Sequence, residues 1–231
     1  VVKEMKMNKL ILFDIDGTLI DTGGAGTTSL NKAFYKLFGV KGAFKDISMA
    51  GKTDIQIIKE GLKSHGFTYG DGNIGAMINA YLEFLKDEID NPRRKLKPGI
   101  MGILNLLREM GMTLGLLTGN LEEGAKIKLS PFGLYEYFLE GAFGSDHEDR
   151  DMLLPIVIQK FLRIGLEFSP EECIVVGDTP RDVKCAKVHG ACCIAVATGS
   201  YTKEHLLNTE ADIVLDSLAE IERCVNFITG V

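Results

Sequence analysis

The stretch Leu10-Ile11-Leu12-Phe13-Asp14-Ile15-Asp16-Gly17-Thr18-Leu19-Ile20-Asp21 decides how this chain folds. Its first four residues are apolar without a break, as in a strand covered on both faces. Two carboxylates follow, two residues apart. Side chains on a strand alternate with period two, so Asp14 and Asp16 share a face if strand geometry persists that far. In open parallel sheets, ligands bind beyond the carboxyl ends of the strands. Gly17 then permits a tight bend. One carboxylate is placed to attack as a nucleophile and the other to shuttle a proton. Asp16-Gly17 also reads as a hairpin turn. The segment after it lacks strand alternation and reads as helix, which weighs against the hairpin.

Four more apolar runs have the character of buried parallel strands: Thr113 to Leu117, Phe138 to Phe143, Cys173 to Val176 and Cys192 to Val196. Helical patterns near 100–110, 121–130, 152–164 and 180–189 alternate with them. A strand from Asp212 to Leu215 and a helix near 216–228 follow. Strands alternating with helices imply βαβ units, hence an α/β fold with a doubly wound parallel sheet. Residues 22–92 break this rhythm and read as helices only. Ala33, Phe34, Leu37 and Phe38 fall at helical spacing, as do Ile57, Ile58 and Leu62, and Met77, Ile78, Tyr81, Leu82 and Leu85. The segment starts at Gly23-Gly24-Ala25-Gly26 and ends near Asn91-Pro92-Arg93-Arg94, edges that suit linkers. The division expected is a core of residues 1–21 and 93–231 with an all-helical cap of residues 22–92. The competing reading places these helices in the outer layer of the sheet.

Three further stretches carry chemistry. Leu116-Leu117-Thr118-Gly119-Asn120 runs from a strand into a helix start, where a hydroxyl and free N–H groups make a phosphate cradle; the same residues also form ordinary loops and caps. Val176-Gly177-Asp178-Thr179-Pro180-Arg181-Asp182 ends another strand. Asp178 and Asp182 there are candidate Mg²⁺ ligands, directly or through water, and Asp178 is the better placed. Thr179 as N-cap with Asp182 in the first turn explains the same residues without a metal. Gly144 to Asp151 is a charged run that opens a helix with Arg150. A fixed guanidinium lowers the repulsion between an anionic nucleophile and an anionic phosphate, and its fork suits phosphate oxygens. Sheet topology brings all four chain segments to one rim.

Bulk properties exclude several classes. The chain has 231 residues, 45% apolar and 25% charged, an ordinary soluble composition. A net charge of -6 without a Lys/Arg cluster argues against nucleic-acid binding. Five cysteines with no CxxC spacing argue against zinc and disulfide frameworks and fit the reducing cytoplasm; Cys192 and Cys193 read as buried thiols. No apolar stretch approaches the roughly 20 residues that span a bilayer. The basic start precedes only four apolar residues, too few for a signal peptide, and Met5 or Met7 is a candidate natural start.

With these motifs in order, the chain resembles the haloacid dehalogenase superfamily of hydrolases, in its phosphoglycolate-phosphatase-like branch with a helical cap after the first strand. The DxDGTLxD run at 14–21 carries most of the likeness, which extends over nearly the whole chain. The resemblance implies a Mg²⁺-dependent phosphatase of a small phosphorylated metabolite, acting as monomer or homodimer. It implies Asp14 as the nucleophile that forms an aspartyl-phosphate, and Asp16 as general acid and then base. It implies Mg²⁺ held by Asp14, the Asp16 backbone carbonyl and Asp178, with Asp182 assisting. Thr118, Gly119 and Asn120 would bind the transferring phosphate. The family's third motif usually carries Lys, and Arg150 is the candidate here, ahead of Lys126 and Lys128 on the helix after the phosphate loop. In the cap, Thr53 with Gln56 fits a capping box. Lys52 gains nothing from the dipole at a helix start, so it is a candidate contact for the leaving group, against the alternative of a solvated lysine.

Three other readings stay open. A phosphosugar mutase would use the same motifs and return the phosphoryl group to sugar. A haloacid dehalogenase needs neither metal nor the second aspartate, and Asp16 and Asp178 argue against it. A catalytically silent binding protein conflicts with the intact set Asp14, Asp16, Thr118 and Asp178.

Overall fold

The computed structural model describes residues 9–230; Met5 and Met7 lie outside the described residues. Six parallel strands form one sheet: β1 (Leu10–Phe13), β4 (Thr113–Leu117), β5 (Glu140–Ala142), β6 (Cys173–Gly177), β7 (Cys192–Val196) and β8 (Ile213–Leu215). Their spatial order is β5-β4-β1-β6-β7-β8. The chain enters at the middle, builds outward on one side through β4 and β5, then crosses back to β6. That reversal puts β1 between β4 and β6, with Phe13 level with both Leu116 and Val176.

The unbroken apolar runs have a direct physical cause. Alternate residues of each strand enter opposite layers. Ile11, Phe13, Leu114, Leu116, Ile174 and Val176 pack with α4 (Ile100–Glu109), α5 (Glu122–Leu129) and α9 (Ile221–Thr229). Leu10, Leu12, Cys173, Val175 and Cys193 pack with α6 (Leu153–Arg163) and α7 (Pro180–Lys187) on the other face. Both faces are covered, so neither can be polar. Cys193 is buried as read from the sequence, Cys192 only partly, and all five cysteines are free thiols.

Residues 22–92 hold α1 (Ala25–Phe38), α2 (Asp54–Ser64) and α3 (Asp71–Glu88), with no strand among them. These helices share an apolar cluster built on Phe34, Phe44, Ile58, Leu62, Tyr81 and Leu85. The two connections to the sheet run side by side. Asn91 donates through Nδ2 to the Thr22 carbonyl at 3.0 Å. Gly23 has φ +64°, and a Cβ there would meet Asn91 Oδ1 at 2.3 Å, so both backbone and space require glycine. Among the described residues no helix is long and apolar enough to cross a membrane.

Three elements differ from the sequence reading. The chain after Gly17 does not pass straight into helix. Leu19 N–H donates to the Ile15 carbonyl, and β2 (Ile20–Asp21) then pairs antiparallel with β3 (Lys95–Leu96). A two-residue ribbon whose partner lies far along the chain leaves no alternation to read. The strand expected from Phe138 is ordered only from Glu140, because Tyr135–Tyr137 forms a 3-10 turn and Leu139 is exposed. The short helix α8 (Lys203–Leu207), capped by Thr202, follows β7.

Candidate active site

Because β1, β4 and β6 are neighbours that end within one residue of each other, the first residues past them meet. Asp14 follows β1, Thr118 follows β4, and Asp178 follows β6. The Asp14 amide still donates to the Val176 carbonyl at 2.9 Å, and the Thr118 amide to the Ala142 carbonyl at 3.0 Å. Asp14 is 5% exposed, at the floor of a cavity of about 550 Å³ that also presents Asp16, Thr118, Gly119, Asn120, Arg150 and Asp178.

Arg150 begins the 3-10 turn Arg150–Met152 ahead of α6 and is 4% exposed. Its Nη2 lies 3.1 Å from Asp14 Oδ1 and also pairs with Asp182 Oδ1. Its Nη1 donates to the Gly51 carbonyl at 3.2 Å. Its Nε is buried without a hydrogen-bond partner among the described residues. Buried donors are rarely left unpaired, so this one marks a place where an acceptor belongs.

Asp14, Asp178 and Asp182 each offer an oxygen within 4.8 Å of the others. They are not equivalent. Both oxygens of Asp182 are engaged, Oδ1 by Arg150 and Oδ2 by the Thr179 amide (2.9 Å) and hydroxyl (2.7 Å). Thr179 and Asp182 form the capping box of α7, as the helix-cap reading anticipated. Asp178 receives the Thr18 hydroxyl on Oδ1 at 3.1 Å, and Oδ2 has no donor among the described residues. Two glycines make room for it. A Cβ on Gly17 (φ +87°) would lie 2.4 Å from Asp178 Oδ2, and one on Gly199 only 1.6 Å away.

Three buried carboxylates face one guanidinium. Burial pushes Asp14 up to about 6; Arg150 opposes this, while Asp182 and Asp16 add to it. Burial, then Asp182 and Asp14, hold Asp178 well above the usual carboxylate range. Fully ionised, the three carboxylates would carry more negative charge than one guanidinium offsets, and their donors are all hard oxygens. A divalent cation such as Mg²⁺ fits that donor set. Folded Asp14 binds its proton up to about pH 6, whereas an ordinary aspartate releases it near 3.8. Folding then takes up a proton in that interval, and stability falls as pH rises through it. Thermal unfolding in chelator from pH 4 to 7 should show the wild type losing ground to Asp14→Asn. A wild type that gains ground would reverse the assignment of the shift.

Asp16 lies on the other side of Asp14. Its Oδ2 accepts from Lys128 Nζ at 2.7 Å and from Asn120 Nδ2 at 2.9 Å. Asn120 Nδ2 also donates to Thr118 Oγ1 at 2.8 Å, and Thr118 hydrogen-bonds Asp14. Gly119 is covered by the helical segment. Its carbonyl accepts from the Asp54 amide at 2.8 Å, and a Cβ there would meet the Lys52 carbonyl at 2.2 Å. Thr53 makes the expected capping box with Gln56, and its hydroxyl also donates to the Glu148 carbonyl at 2.8 Å. Lys52 lines the cavity, with Nζ 2.6 Å from Glu60 Oε2.

Of the two lysines ranked behind Arg150, Lys126 is exposed and lies over the Tyr135 ring. Lys128 is 4% exposed and faces Asp16, a contact that the sequence reading does not make. The signal was present: Leu121, Ala125, Lys128 and Leu129 occupy one helical stripe, and a lysine on an otherwise buried stripe needs a partner. Arg150 and Lys128 both enter the site, one on each aspartate of the first motif. Thr18, Asp54, Tyr81 and Gly199 were not singled out, because each depends on a contact between distant segments.

The sequence profile described as "Haloacid dehalogenase-like hydrolase" matches residues 11–196. The "Probable phosphatase IndB" of Dickeya dadantii is 27% identical, covering 93% of this chain and 92% of its own. The phosphoglycolate phosphatase of Agrobacterium fabrum is 25% identical, covering 93% and 91%. Among solved structures, CbbY from Rhodobacter sphaeroides in complex with phosphate superposes with a TM-score of 0.75 at 22% identity, covering 93% of this chain and 96% of that one.

Proposed function

The chain belongs to the haloacid dehalogenase-like hydrolase family, a phosphatase on that footing, and we propose that it hydrolyses a small phosphorylated metabolite through an aspartyl-phosphate on Asp14, with Mg²⁺ as cofactor. The observation that carries this reading is the surroundings of Asp14: a buried carboxylate between a guanidinium at 3.1 Å and two further carboxylates, at the floor of a cavity beside Thr118 and Asn120. A lone buried carboxylate would be costly to ionise; this one sits where cations would hold it ionised and aimed.

Asp14 attacks phosphorus, and the ester oxygen departs with a proton from Asp16. Asp16 then takes a proton from water, which hydrolyses the acyl phosphate and frees Asp14. Thr118, the Gly119 amide and Asn120 hold the equatorial oxygens, and the unpaired Arg150 Nε supplies one more donor. Asp14 and Asp178 would hold the Mg²⁺, the Asp16 carbonyl would complete the protein's share, and Asp182 would assist through Arg150 and Thr179. When bound, that cation neutralises charge shared by nucleophile and phosphate.

Residues 22–92 act in this reading as a cap that closes over the cavity. Gly51, Thr53 and Asp54 contact Arg150, Glu148 and Gly119 of the core, so the structure supports a shut arrangement that excludes water. Leu30, Phe44, Ile57 and Tyr81 line the cavity from the cap and would set substrate size. Lys52 reaches the leaving group by exchanging Glu60 for it. Lys52→Ala should then raise KM several-fold on the natural ester; unchanged KM and kcat would discard that role.

The overall reading is tested with p-nitrophenyl phosphate, with Mg²⁺ and with chelator. Turnover that requires the cation supports it, and turnover unaffected by chelator refutes the metal assignment. Recovery of inorganic phosphate, rather than a transferred phosphoryl group, from a sugar phosphate separates hydrolase from mutase.

A further inference from the structure

We propose that Lys128 is a positioning residue that fixes the Asp16 carboxylate for proton transfer to the leaving oxygen, and that the helical segment completes its surroundings. The proposal rests on the phosphatase reading above and adds a residue to it.

The geometry is specific. Lys128 extends from the last turn of α5 and is 4% exposed, whereas the Asp16 side chain it meets is 42% exposed. A half-exposed aspartate at a cavity wall has several rotamers open to it, and holding one costs entropy. Lys128 Nζ at 2.7 Å and Asn120 Nδ2 at 2.9 Å remove that freedom. Both land on Oδ2. Oδ1 therefore has no donor among the described residues and stays available for substrate. Lys128 also donates to Asn120 Oδ1, so the two donors brace each other.

Burying an ammonium costs several kcal/mol unless it is well paired, so its place here is not incidental to the site. Its remaining neighbours come from the helical segment. Tyr81 of α3 hydrogen-bonds Lys128 through its hydroxyl, and Asp54 of α2 adds a second negative charge beside the ammonium. Asp54 is itself held by the Leu121 amide at 2.9 Å. One ammonium thus joins the proton-transferring carboxylate to two helices that lie across the cavity. Arg150 does not overlap with it: its contacts are Asp14, Asp182 and the Gly51 carbonyl.

Leaving-group dependence separates positioning of Asp16 from general support of the fold. An alkyl ester needs a proton on its departing oxygen, and p-nitrophenolate leaves without one. We would compare kcat/KM, which reports the chemistry up to phosphoryl capture, on ethyl phosphate and p-nitrophenyl phosphate. Lys128→Met should lower it roughly 100-fold on the alkyl ester and less than about tenfold on the aryl ester. Asp16→Asn should show the same split, and Lys128→Arg should recover part of the alkyl activity. Tyr81→Phe, which deletes only the hydroxyl on the ammonium, should give the same pattern at smaller amplitude and serves if Lys128→Met does not fold. Equal losses on both esters, or none on either, overturn the proposal. Wild-type turnover of the two esters tests the phosphatase reading separately.

Discussion

Asp14→Asn should abolish turnover, lowering kcat by roughly 10⁴-fold or more, and leave the fold in place. The amide is a far weaker nucleophile than the carboxylate and forms no acyl phosphate under the same conditions. The substitution is nearly isosteric, and its surroundings favour survival of the protein. Burial pushes Asp14 up to about 6, so the native site already bears the cost of its charge. Asparagine removes that cost and can still accept from Arg150. The measurement is steady-state hydrolysis alongside thermal unfolding. Rapid quench with ³²P-labelled ester adds a direct readout: wild type should retain acid-stable label on residue 14 and the variant none. Wild-type turnover by the variant would falsify the nucleophile assignment.

Asp178→Ala and Asp182→Ala are expected to fail in different ways, although both residues belong to one acidic cluster. Asp178 Oδ2 has no donor among the described residues, and the residue is boxed in by Gly17 and Gly199. Its loss should raise the Mg²⁺ concentration needed for half-maximal activity and lower kcat by about 10²- to 10³-fold. Stability should change little or rise. Asp182 is 0% exposed and gives both oxygens to Arg150 and Thr179. Its removal strips a partner from a buried guanidinium and one side of the α7 capping box. A loss of about 3–5 kcal/mol in unfolding free energy follows. Mg²⁺ titrations and denaturant melts of both variants decide the matter. A larger shift in Mg²⁺ dependence for Asp182→Ala than for Asp178→Ala would reverse the ranking of the ligands.

The sheet and the rim residues were legible because they are written in local pattern. Leu10 to Phe13 reads as a strand covered on both sides, and the two apolar layers account for it. Asp14, Thr118 and Asp178 come together because each ends a strand, and their strands are neighbours. Arg150 was found from chemistry, as a cation needed beside carboxylates, and it lies against Asp14. Lys128 reads from the sequence only as one of two basic residues at weaker positions on the helix after the phosphate loop; its place on the buried stripe of α5 is what brings it against Asp16. The β2–β3 ribbon and the Gly199 contact with Asp178 join residues far apart in the chain, and no local periodicity encodes such pairs.

The Asp54 carboxylate has a consequence for motion. The helix α5 begins at Glu122, and its N-cap Leu121 carries no side-chain acceptor; the oxygen that receives the Leu121 amide comes from α2 instead. If residues 22–92 act as the proposed cap, that segment would double as a detachable N-terminal stopper for α5. Each opening of such a cap would fray that turn, at a cost of about 1 kcal/mol for an ordinary cap bond. Amide exchange at Leu121 would then clock how often the enzyme admits solvent, with no substrate present.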